Sequence, residues 1–365
     1  MPQASSQPGQ DNSNERVAGL RDFVERVARY SQQVNFRRYE NWENGILADG
    51  LRATGQAACE AAAAKVYEHA LQTQDSAGQL AFNLIVPGEA GNSVDRWSGK
   101  KTITGATHSA VLGPGVLHLY RRLGNASHLD AARRQAEYLR QLPRTRNGGI
   151  AHREEGRELW VDSMWFVIPF LAEFGAMSGE AWALEDSALQ IRAHAQKLRD
   201  AEIGLFRHIW CETPNFYPQS TFWSRGNGWV IASFVDAYPF FADKDPIRGE
   251  LAALVRGMAD ALLPLQDASG FWRNTLDDRL TPMESSGTMM FAYALKKALD
   301  LGMLDGSAYR DAAFRAMRAA CLAVNDEGGV EYVTLPPGGP GAKLGVAPYG
   351  QGWFLLAASR FASAE

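Results

Sequence analysis

The sequence predicts an all-α fold, a closed (α/α)6 barrel, from two observations: an internal helical repeat and a recurring glycine-led connection. Five segments share one plan, in which an apolar helix ends at a glycine or a similar turn and an Ala-rich amphipathic helix follows. They begin at Leu51, Tyr120, Leu171, Ala237 and Leu299. The starts lie roughly 50 to 70 residues apart, which at about 1.5 Å per helical residue accommodates two helices and a return loop.

The first helix of each pair should line the inside of the ring. It is apolar on nearly all faces, as in WFVIPFLAEFG after Met164 and MMFAYALKKALDLG after Thr288, which indicates burial on more than one side. The second helix carries charges on one side and should lie outside. An opening helix over residues 14–30 and a closing helix over residues 349–361 bring the total to about twelve. The last inner helix can then pair with the first outer one, which favours a closed ring over an open solenoid.

Four short segments connect the pairs and locate the candidate site. They start at Gly148, Gly204, Gly270 and Gly328, and their alternating apolar residues indicate turns or short strands. Since the inner helices begin after such loops, the residues of their first turns should converge on one rim. These first turns combine indole rings with amides, carboxylates and a guanidinium. That combination suits a sugar, which stacks on aromatic faces while its hydroxyl groups take hydrogen bonds.

Composition and charge limit the classes of partner. The 365 residues carry a formal net charge of -4 with Lys and Arg scattered, so neither nucleic acid nor an anionic membrane surface is an expected partner. Residues 1–14 are predicted to be a disordered leader without the features of a secretory signal, and residues 15–365 a single catalytic domain. No apolar run approaches the roughly 20 residues of a membrane span. We therefore expect a cytoplasmic protein, either a monomer or a homodimer.

No cofactor and no metal are expected. The three cysteines, Cys59, Cys211 and Cys321, are far apart, odd in number and in no CxxC arrangement, which argues against disulfides and against a zinc site. The glycines of SRGNGW lack the preceding strand that a dinucleotide-binding fingerprint requires, and HxxxH metal spacings are absent.

The candidate residues at the rim also have plain structural interpretations. Four tryptophans could pack in the core: Trp42, Trp223, Trp229 and Trp353. Asp162 could cap its helix, since Asp is a favoured N-cap residue. Glu284, which precedes two serines, resembles an ordinary helix start. His152 and His208 lie on equivalent glycine-led loops, which favours a shared role over that of a lone core histidine.

From Trp42 to its C-terminus the chain resembles a known family. The most specific matching segments are PRTRNGGIAHREEGRELWVDSMWFVIPFLAEFG from Pro143, GLFRHIWCE from Gly204, FWSRGNGW from Phe222 and ESSGTMMFAYAL from Glu284. WENG and the terminal GQGWFLLAASRF follow the same order. These segments are similar to those of the unsaturated rhamnogalacturonyl hydrolases and the related unsaturated glucuronyl hydrolases, glycoside hydrolase families 105 and 88, which are (α/α)6 barrels.

The resemblance implies a function and residue roles. Such enzymes remove a 4,5-unsaturated uronic acid from the non-reducing end of the oligosaccharides that polysaccharide lyases leave. Asp162 matches the catalytic aspartate, which would protonate C4 of the enol ether and help to activate the water that adds at C5. Substrate contacts are expected from Trp42, Asn44, His108, His152, Trp160, His208, Trp223, Arg225, Trp229 and Glu284.

The implied mechanism makes demands on two of these side chains. An aspartate that first donates and then accepts a proton needs a raised pKa, which a partly desolvated aromatic wall provides by disfavouring the charged form. Trp160 and Trp165 are the candidates for that wall. Arg225 is expected to pair in bidentate fashion with the substrate carboxylate, a geometry that Lys would not reproduce.

One departure from the family keeps alternatives open. Family members usually carry a second aspartate at the start of the preceding inner helix, but here no carboxylate lies between Lys100 and Leu129. His108 or Thr107 occupies the place, and the substrate could be an unusual or a saturated uronide that His108 orients. Two other functions remain: a sugar epimerase or isomerase with the two loop histidines as acid and base, and a non-catalytic sugar-binding barrel.

Overall fold

The computed structural model describes residues 17–36, 39–80, 105–153, 156–336 and 338–362. Twelve α-helices lie within these ranges: α1 (Leu20–Gln32), α2 (Asn41–Ala53), α3 (Ala57–Gln72), α4 (Gly113–Leu123), α5 (Ala126–Gln141), α6 (Val161–Ser178), α7 (Ala181–Leu198), α8 (Ser224–Ala237), α9 (Pro246–Leu262), α10 (Ser285–Asp300), α11 (Ser307–Leu322) and α12 (Pro348–Phe361). Short strands lie in the connections: β1 (Glu158–Trp160), β2 (Ile209–Cys211), β3 (Phe216–Gln219), β4 (Trp272–Arg273), β5 (Met283–Glu284), β6 (Val333–Thr334) and β7 (Leu344–Gly345).

Every second helix belongs to a closed inner ring. The ring order is α2, α4, α6, α8, α10 and α12, each packs against the next, and α12 packs against α2. The remaining helices lie outside, and α1, the first outer helix, packs on α12, the last inner one. The predicted (α/α)6 barrel and its closing pair are therefore confirmed. The predicted leader over residues 1–14 lies outside the described residues.

The sequences of the helices explain which of them lie inside. In α6, every residue from Val161 to Gly175 is buried except Asp162. The neighbouring outer helix α7 exposes Glu185, Leu189, Arg192 and Gln196, which recur at helical spacing on one face. Burial on all sides places α6 in the ring, whereas α7 keeps one face in solvent.

Aromatic side chains fill the middle of the ring. The ring centroid of Trp229 lies 5.4 Å from those of Trp165 and Phe166 and 5.7 Å from that of Trp353. Trp229 and Trp353 are fully buried. The interior of the barrel is therefore a packed core, and the space for a ligand must lie at an end.

The glycine-led connections are confirmed as tight turns. Gly148, Gly204, Gly270 and Gly328 have φ values of 90°, 85°, 92° and 96°, a region that favours glycine. Gly78, with φ of 97°, forms a fifth such turn that the sequence analysis did not identify. A Cβ atom on Gly78 or Gly270 would lie 2.5 Å from a carbonyl oxygen of a neighbouring outer helix, that of Arg134 or Arg315. Close approach to an outer helix is a second reason for glycine at these two turns.

Strand pairing fixes the start of α6. β1 pairs antiparallel with β2, with Trp160 opposite Ile209, and the Val161 N–H donates to the His208 carbonyl over 3.1 Å. Because β1 runs directly into α6, this pairing places Asp162, the second residue of the helix, beside His208. The pairs β4–β5 and β6–β7 precede α10 and α12. No helix among the described residues is long and apolar enough to cross a membrane.

Candidate active site

The first turns of the inner helices meet at one end of the barrel, as predicted. Glu43 is the third residue of α2, Asp162 the second of α6, Arg225 the second of α8 and Tyr349 the second of α12. His108 opens the 3-10 turn that precedes α4. We call this end the cleft end.

Asp162 lies in contact with His208. Its Oδ2 is 3.3 Å from His208 Nε2, and the Asp162 side chain keeps 17% of its surface exposed, whereas His208 is buried. On its other side, His208 Nδ1 lies 2.7 Å from Gln219 Oε1. Because a carbonyl oxygen only accepts, Nδ1 carries the hydrogen of this contact, whereas Nε2 and Oδ2 lie within ion-pair distance but form no hydrogen bond in the described residues. The carboxylate and the imidazole therefore face each other as a close pair.

The pKa of Asp162 corrects the sequence-based expectation. Burial acts to raise this pKa, but contact with His208 and electrostatic interactions with His208, His152 and Arg225 outweigh burial and lower it below its ordinary value. The prediction of a raised pKa is therefore wrong, and the Asp162 carboxylate is ionised at neutral pH.

The two proposed wall residues lie in different places. The Trp160 ring stacks on His152 with a centroid distance of 4.3 Å and an interplanar angle of 9°, and its edge faces His208 at 5.6 Å. Trp165 lies deeper in the barrel, where its indole N–H donates to Asp236 Oδ2 over 2.9 Å. Trp160 belongs to the cleft end, but the structure does not place Trp165 as the wall beside Asp162.

The remaining histidines form a second group next to Trp160. His152 is buried, and its Nδ1 lies 2.8 Å from Ser163 Oγ. Burial, and secondarily the charge of His108, hold the pKa of His152 well below its usual range, so its ring is neutral. The His108 ring lies 5.1 Å from that of His152, and His108 Nδ1 is 3.5 Å from Glu40 Oε2. His108 thus occupies the cleft end, where the sequence analysis placed it.

Arg225 lies between two aromatic rings. Its guanidinium carbon is 4.3 Å from the centroid of Trp223 and 4.8 Å from that of Tyr349. Nη1 donates to the Thr334 carbonyl and to Ser286 Oγ, and Nε is fully enclosed without a hydrogen-bond partner in the described part of the chain. Nη2 forms no hydrogen bond there and is not fully enclosed, so its N–H groups are available to an anionic ligand.

Trp42 and Trp223 also lie at the cleft end. The Trp42 ring is 4.8 Å from Tyr349, and its N–H donates to Glu40 Oε2 over 2.9 Å. The Trp223 ring lies 4.6 Å from His208, and Gly338, with φ of 79°, covers it so closely that a Cβ atom would lie 2.5 Å from the indole. These rings flank Arg225 and His208.

Three predicted substrate contacts have structural roles instead. The Asn44 side chain is fully buried and donates to the carbonyls of Phe36, Tyr39 and Glu40, which anchors the segment before α2. Glu284 caps α10, with its carboxylate accepting from the N–H groups of Ser286, Gly287 and Thr334 and from the Ser286 hydroxyl. Trp229 lies in the aromatic core. The first turns of inner helices contain both caps and ligand contacts, so their sequence alone did not separate the two.

Glu43, between Trp42 and Asn44, is a residue of the cleft end that the sequence did not predict. It is buried, with 8% of its surface exposed, and its Oε2 accepts from the Glu40 N–H over 3.0 Å, as in a capping box. Burial, with the negative charge of Glu40, raises its pKa from 4.5 to about 7 against the lowering effects of the Glu40 N–H and of Arg225. Glu43 is the acidic residue of the WENG motif, but an acidic residue in the first turn of a helix is also typical of an ordinary helix cap.

Among the described residues, no group of His, Cys, Asp and Glu side chains has the arrangement of a metal site. Besides the capping Glu284, the described part of the site contains the carboxyl groups of Glu40, Glu43 and Asp162, the Arg225 guanidinium, three histidines and several aromatic rings. Carboxyl groups of this kind suit proton transfer, and the guanidinium suits an acidic sugar.

Comparison with known proteins agrees with this geometry. A sequence profile described as Glycosyl Hydrolase Family 88 matches residues 21–363. The chain belongs to this family. This match confirms the family resemblance that the motifs around Asp162 and Arg225 indicated.

Individual relatives of this family 88 chain are distant. It is 27% identical over 230 residues to the unsaturated rhamnogalacturonyl hydrolase YesR of Bacillus subtilis, covering 61% of this chain and 65% of that protein. It is 28% identical over 211 residues to an unsaturated 3S-rhamnoglycuronyl hydrolase of Alteromonas sp., covering 56% of this chain and 51% of that one. The chain thus spans about half to just under two thirds of the length of these relatives.

Solved structures show the same fold. A possible member of family GH105 from Salmonella enterica serovar Paratyphi A superimposes with a TM-score of 0.79 at 20% sequence identity, covering 98% of this chain and 96% of that one. At such low sequence identity, this similarity supports the barrel fold but does not indicate the substrate.

Proposed function

We propose that this protein is a glycoside hydrolase that removes a 4,5-unsaturated uronic acid from the non-reducing end of lyase-generated oligosaccharides by hydrating the C4=C5 enol ether. The observation that carries the proposal is the Asp162–His208 pair, at the aromatic rim near the Arg225 guanidinium. Similarity to the two named hydrolases, both of which act on unsaturated sugars by their names, supports it.

Arg225 provides the contact for the acidic group of the sugar. Arg225 is 2% exposed, its guanidinium stacks over Trp223 and Tyr349, and its Nη2 forms no hydrogen bond in the described residues. A uronate carboxylate would pair with it in a low-dielectric setting, where such a pair is stronger than in water. The carboxylate of the sugar is bonded to C5, so this contact brings the reacting double bond close to Arg225.

Asp162 is suited to activate the water. Its lowered pKa keeps the carboxylate ionised at neutral pH, and an ionised carboxylate can accept a proton from the water that attacks C5. Hydration also requires a proton at C4. Because its pKa is lowered, Asp162 lacks that proton at neutral pH, so a second group is needed to donate it.

The epimerase alternative fits the site less well. His152 would have to serve as an acid or a base, but it is buried, neutral and bound to Ser163 Oγ, with its ring covered by Trp160. No observation favours a saturated uronide over an unsaturated one.

A substrate screen tests the proposal. Oligosaccharides produced by lyases from several uronate polysaccharides are incubated with wild type and with Asp162→Asn, and the ultraviolet absorbance of the enol ether is followed. We expect wild type to consume the absorbance, release a shorter sugar and add one water, with kcat of the variant lower by about 10²–10⁴. An epimerase would leave absorbance and mass unchanged, and binding without turnover would indicate a sugar-binding barrel.

A further inference from the structure

We propose that Glu43 is a second catalytic carboxyl group of the cleft, and that it donates the proton to C4 while Asp162 acts as the base toward water. The inference rests on the proposed function, because it assigns the proton donor of that reaction. It also addresses the missing aspartate, since no carboxylate lies between Lys100 and Leu129.

Glu43 has one carboxyl oxygen available. Oε2 accepts from the Glu40 N–H at the start of α2. Within the part of the chain that the structure describes, Oε1 takes part in no hydrogen bond. It is also not fully enclosed by other atoms, so a ligand can reach it. The backbone contact orients the side chain, and the second oxygen remains free for a ligand.

Electrostatic interactions link Glu43 to Arg225 and to Tyr349. Trp42, the preceding residue, packs on Tyr349 at 4.8 Å, and the Arg225 guanidinium packs on the same Tyr349 ring at 4.8 Å. The positive charge of Arg225 lowers the pKa of both Glu43 and Asp162, so both carboxyl groups lie within electrostatic reach of it. A uronate held by Arg225 through its carboxylate would present C4 and C5 to these two groups.

The charged groups around Glu43 favour its protonated form. Glu40 adds a negative charge from the same turn, Arg225 opposes it from α8, and Tyr349 faces it from α12. His108, from the turn before α4, contacts Glu40 rather than Glu43 in the described residues. When a substrate carboxylate binds Arg225, it offsets the charge that lowers the pKa of Glu43, and Glu43 holds its proton more firmly.

The two carboxyl groups therefore have opposite tendencies in one cleft. Burial keeps Glu43 protonated up to about pH 7, whereas contact with His208 keeps Asp162 ionised. Titratable pairs whose environments push their pKa values apart divide the acid and base roles between them. This division removes the need for a single aspartate that performs both.

The steps balance. Glu43 gives its proton to C4 as the π electrons of C4=C5 form the new C–H bond, leaving a cation shared by C5 and the ring oxygen. Water adds to C5 and passes a proton to the Asp162 carboxylate, which gives a hemiketal. The Glu43 carboxylate then takes the proton of the new hydroxyl, the bond between C5 and the ring oxygen breaks, and Asp162 returns its proton to that oxygen. Both side chains recover their starting states. The ring oxygen is now a hydroxyl of the hemiacetal at C1; its proton passes to the glycosidic oxygen, the bond between C1 and that oxygen breaks, and C1 becomes an aldehyde as the sugar leaves.

The test compares Glu43→Gln with a carboxyl group outside the cleft. Gln can still accept from the Glu40 N–H, so the cap is kept while the proton is removed. Glu173→Gln is the matched control, because Glu173 is also buried and has a raised pKa but pairs with Arg121 near the other end of α6. Steady-state rates on an unsaturated oligosaccharide are measured across pH, together with thermal unfolding.

We expect kcat of Glu43→Gln to fall by about 10²–10⁴ with a much smaller change in KM. Wild-type kcat/KM should fall as pH rises above about 7, since Glu43 then loses its proton. The residual activity of Glu43→Gln should lack this alkaline fall, and Glu43→Asp should keep the fall at a reduced rate. The activity of Glu173→Gln should match that of wild type.

Full activity in a folded Glu43→Gln, or an unchanged alkaline fall in that variant, would overturn the assignment of Glu43 while leaving the hydrolase proposal intact. A wild type that turns over no unsaturated substrate would overturn both.

Discussion

The two ends of the barrel differ in the partners of their buried carboxyl groups. Opposite the cleft, near the C-terminal ends of the inner helices, carboxylates have close partners. Asp236 accepts from Lys297 and Tyr293, each over 2.7 Å, and also from the Trp165 indole. Glu173 pairs with Arg121 at 2.5 Å. At the cleft end, Glu43 has no cation within ion-pair distance among the described residues, and the partner of Asp162 is a histidine.

This difference separates structural from functional charge. A buried carboxylate with cationic and hydroxyl partners stabilises the fold mainly because removing it would leave those partners unpaired. A buried carboxyl group without a cationic partner leaves no charge unpaired when it is replaced, but it keeps a shifted pKa and a place for a ligand. Burial raises the pKa of Glu173 as well, so a raised pKa alone does not mark the active site. The difference is the Arg121 partner of Glu173, since Glu43 has no such cation among the described residues.

Asp236→Ala should produce the largest change in stability. It leaves the ammonium group of Lys297 without its carboxylate while the side chain is only 14% exposed. Loss of one partner of a buried pair costs about 3–5 kcal/mol in the free energy of unfolding. Denaturant unfolding measures the loss, and the folded fraction should keep its kcat. Asp162→Ala is the matched cleft variant, and it should lose activity with a smaller loss of stability, because a histidine left without its carboxylate can release a proton near neutral pH whereas an ammonium group does not. Equal stability losses at both ends would remove the contrast.

The stability of Glu43→Gln relative to wild type should depend on pH. Native Glu43 releases its proton near pH 7, but the unfolded chain releases it near pH 4.5. Between these values the native state binds more protons, so this residue's contribution to stability is complete below pH 4.5 and is lost as pH rises through about 7. At about 1.4 kcal/mol per pKa unit, the upper limit is about 3 kcal/mol. Unfolding free energies at pH 4.5 and 8 for both proteins measure it, and parallel pH curves would contradict the raised pKa.

The sequence predicted most of the barrel and part of the cleft. Periodicity identified the inner helices, and the glycine-led loops placed Asp162, His208 and Arg225 at one rim, because both signals are local. The direction of the Asp162 pKa was not predictable in this way. It depends on the pairing of β1 with β2, which brings His208 Nε2 to the carboxylate from elsewhere in the chain.

Two other misses have equally physical causes. Trp165 follows Asp162 by three residues, so at about 1.5 Å per residue it lies nearly one turn deeper, where its indole reaches Asp236. Glu43 was passed over because its burial depends on packing of α2 against α12, whereas its local sequence indicates only a cap. Local patterns thus located the rim, and contacts between distant segments decided which of its polar groups are free.

Arg225→Lys should weaken substrate binding at the cleft end by about 10- to 100-fold in KM. Lys offers a point charge without the planar N–H pair that matches a carboxylate, and charge-assisted hydrogen bonds contribute about 1.5–3 kcal/mol. The control is Arg121→Lys at the other end, which retains a charge near Glu173 and should leave KM unchanged. Steady-state kinetics on one unsaturated disaccharide decide the matter. If Arg225→Lys bound substrate as wild type does, Arg225 would not be the carboxylate contact.

His108→Ala should have the smallest effect, a reduction of about tenfold in kcat/KM, as expected for loss of one hydrogen bond to substrate. The chain offers a close control. His118, in α4, lies 3.5 Å from Glu60, and His108 lies 3.5 Å from Glu40, so both histidines contact a glutamate at the same distance but at different ends of the barrel. His118→Ala should leave the kinetics unchanged. Wild-type kinetics in His108→Ala would show that this histidine has not taken over the place of the missing aspartate. Glu43 would then be the cleft residue that compensates for that aspartate.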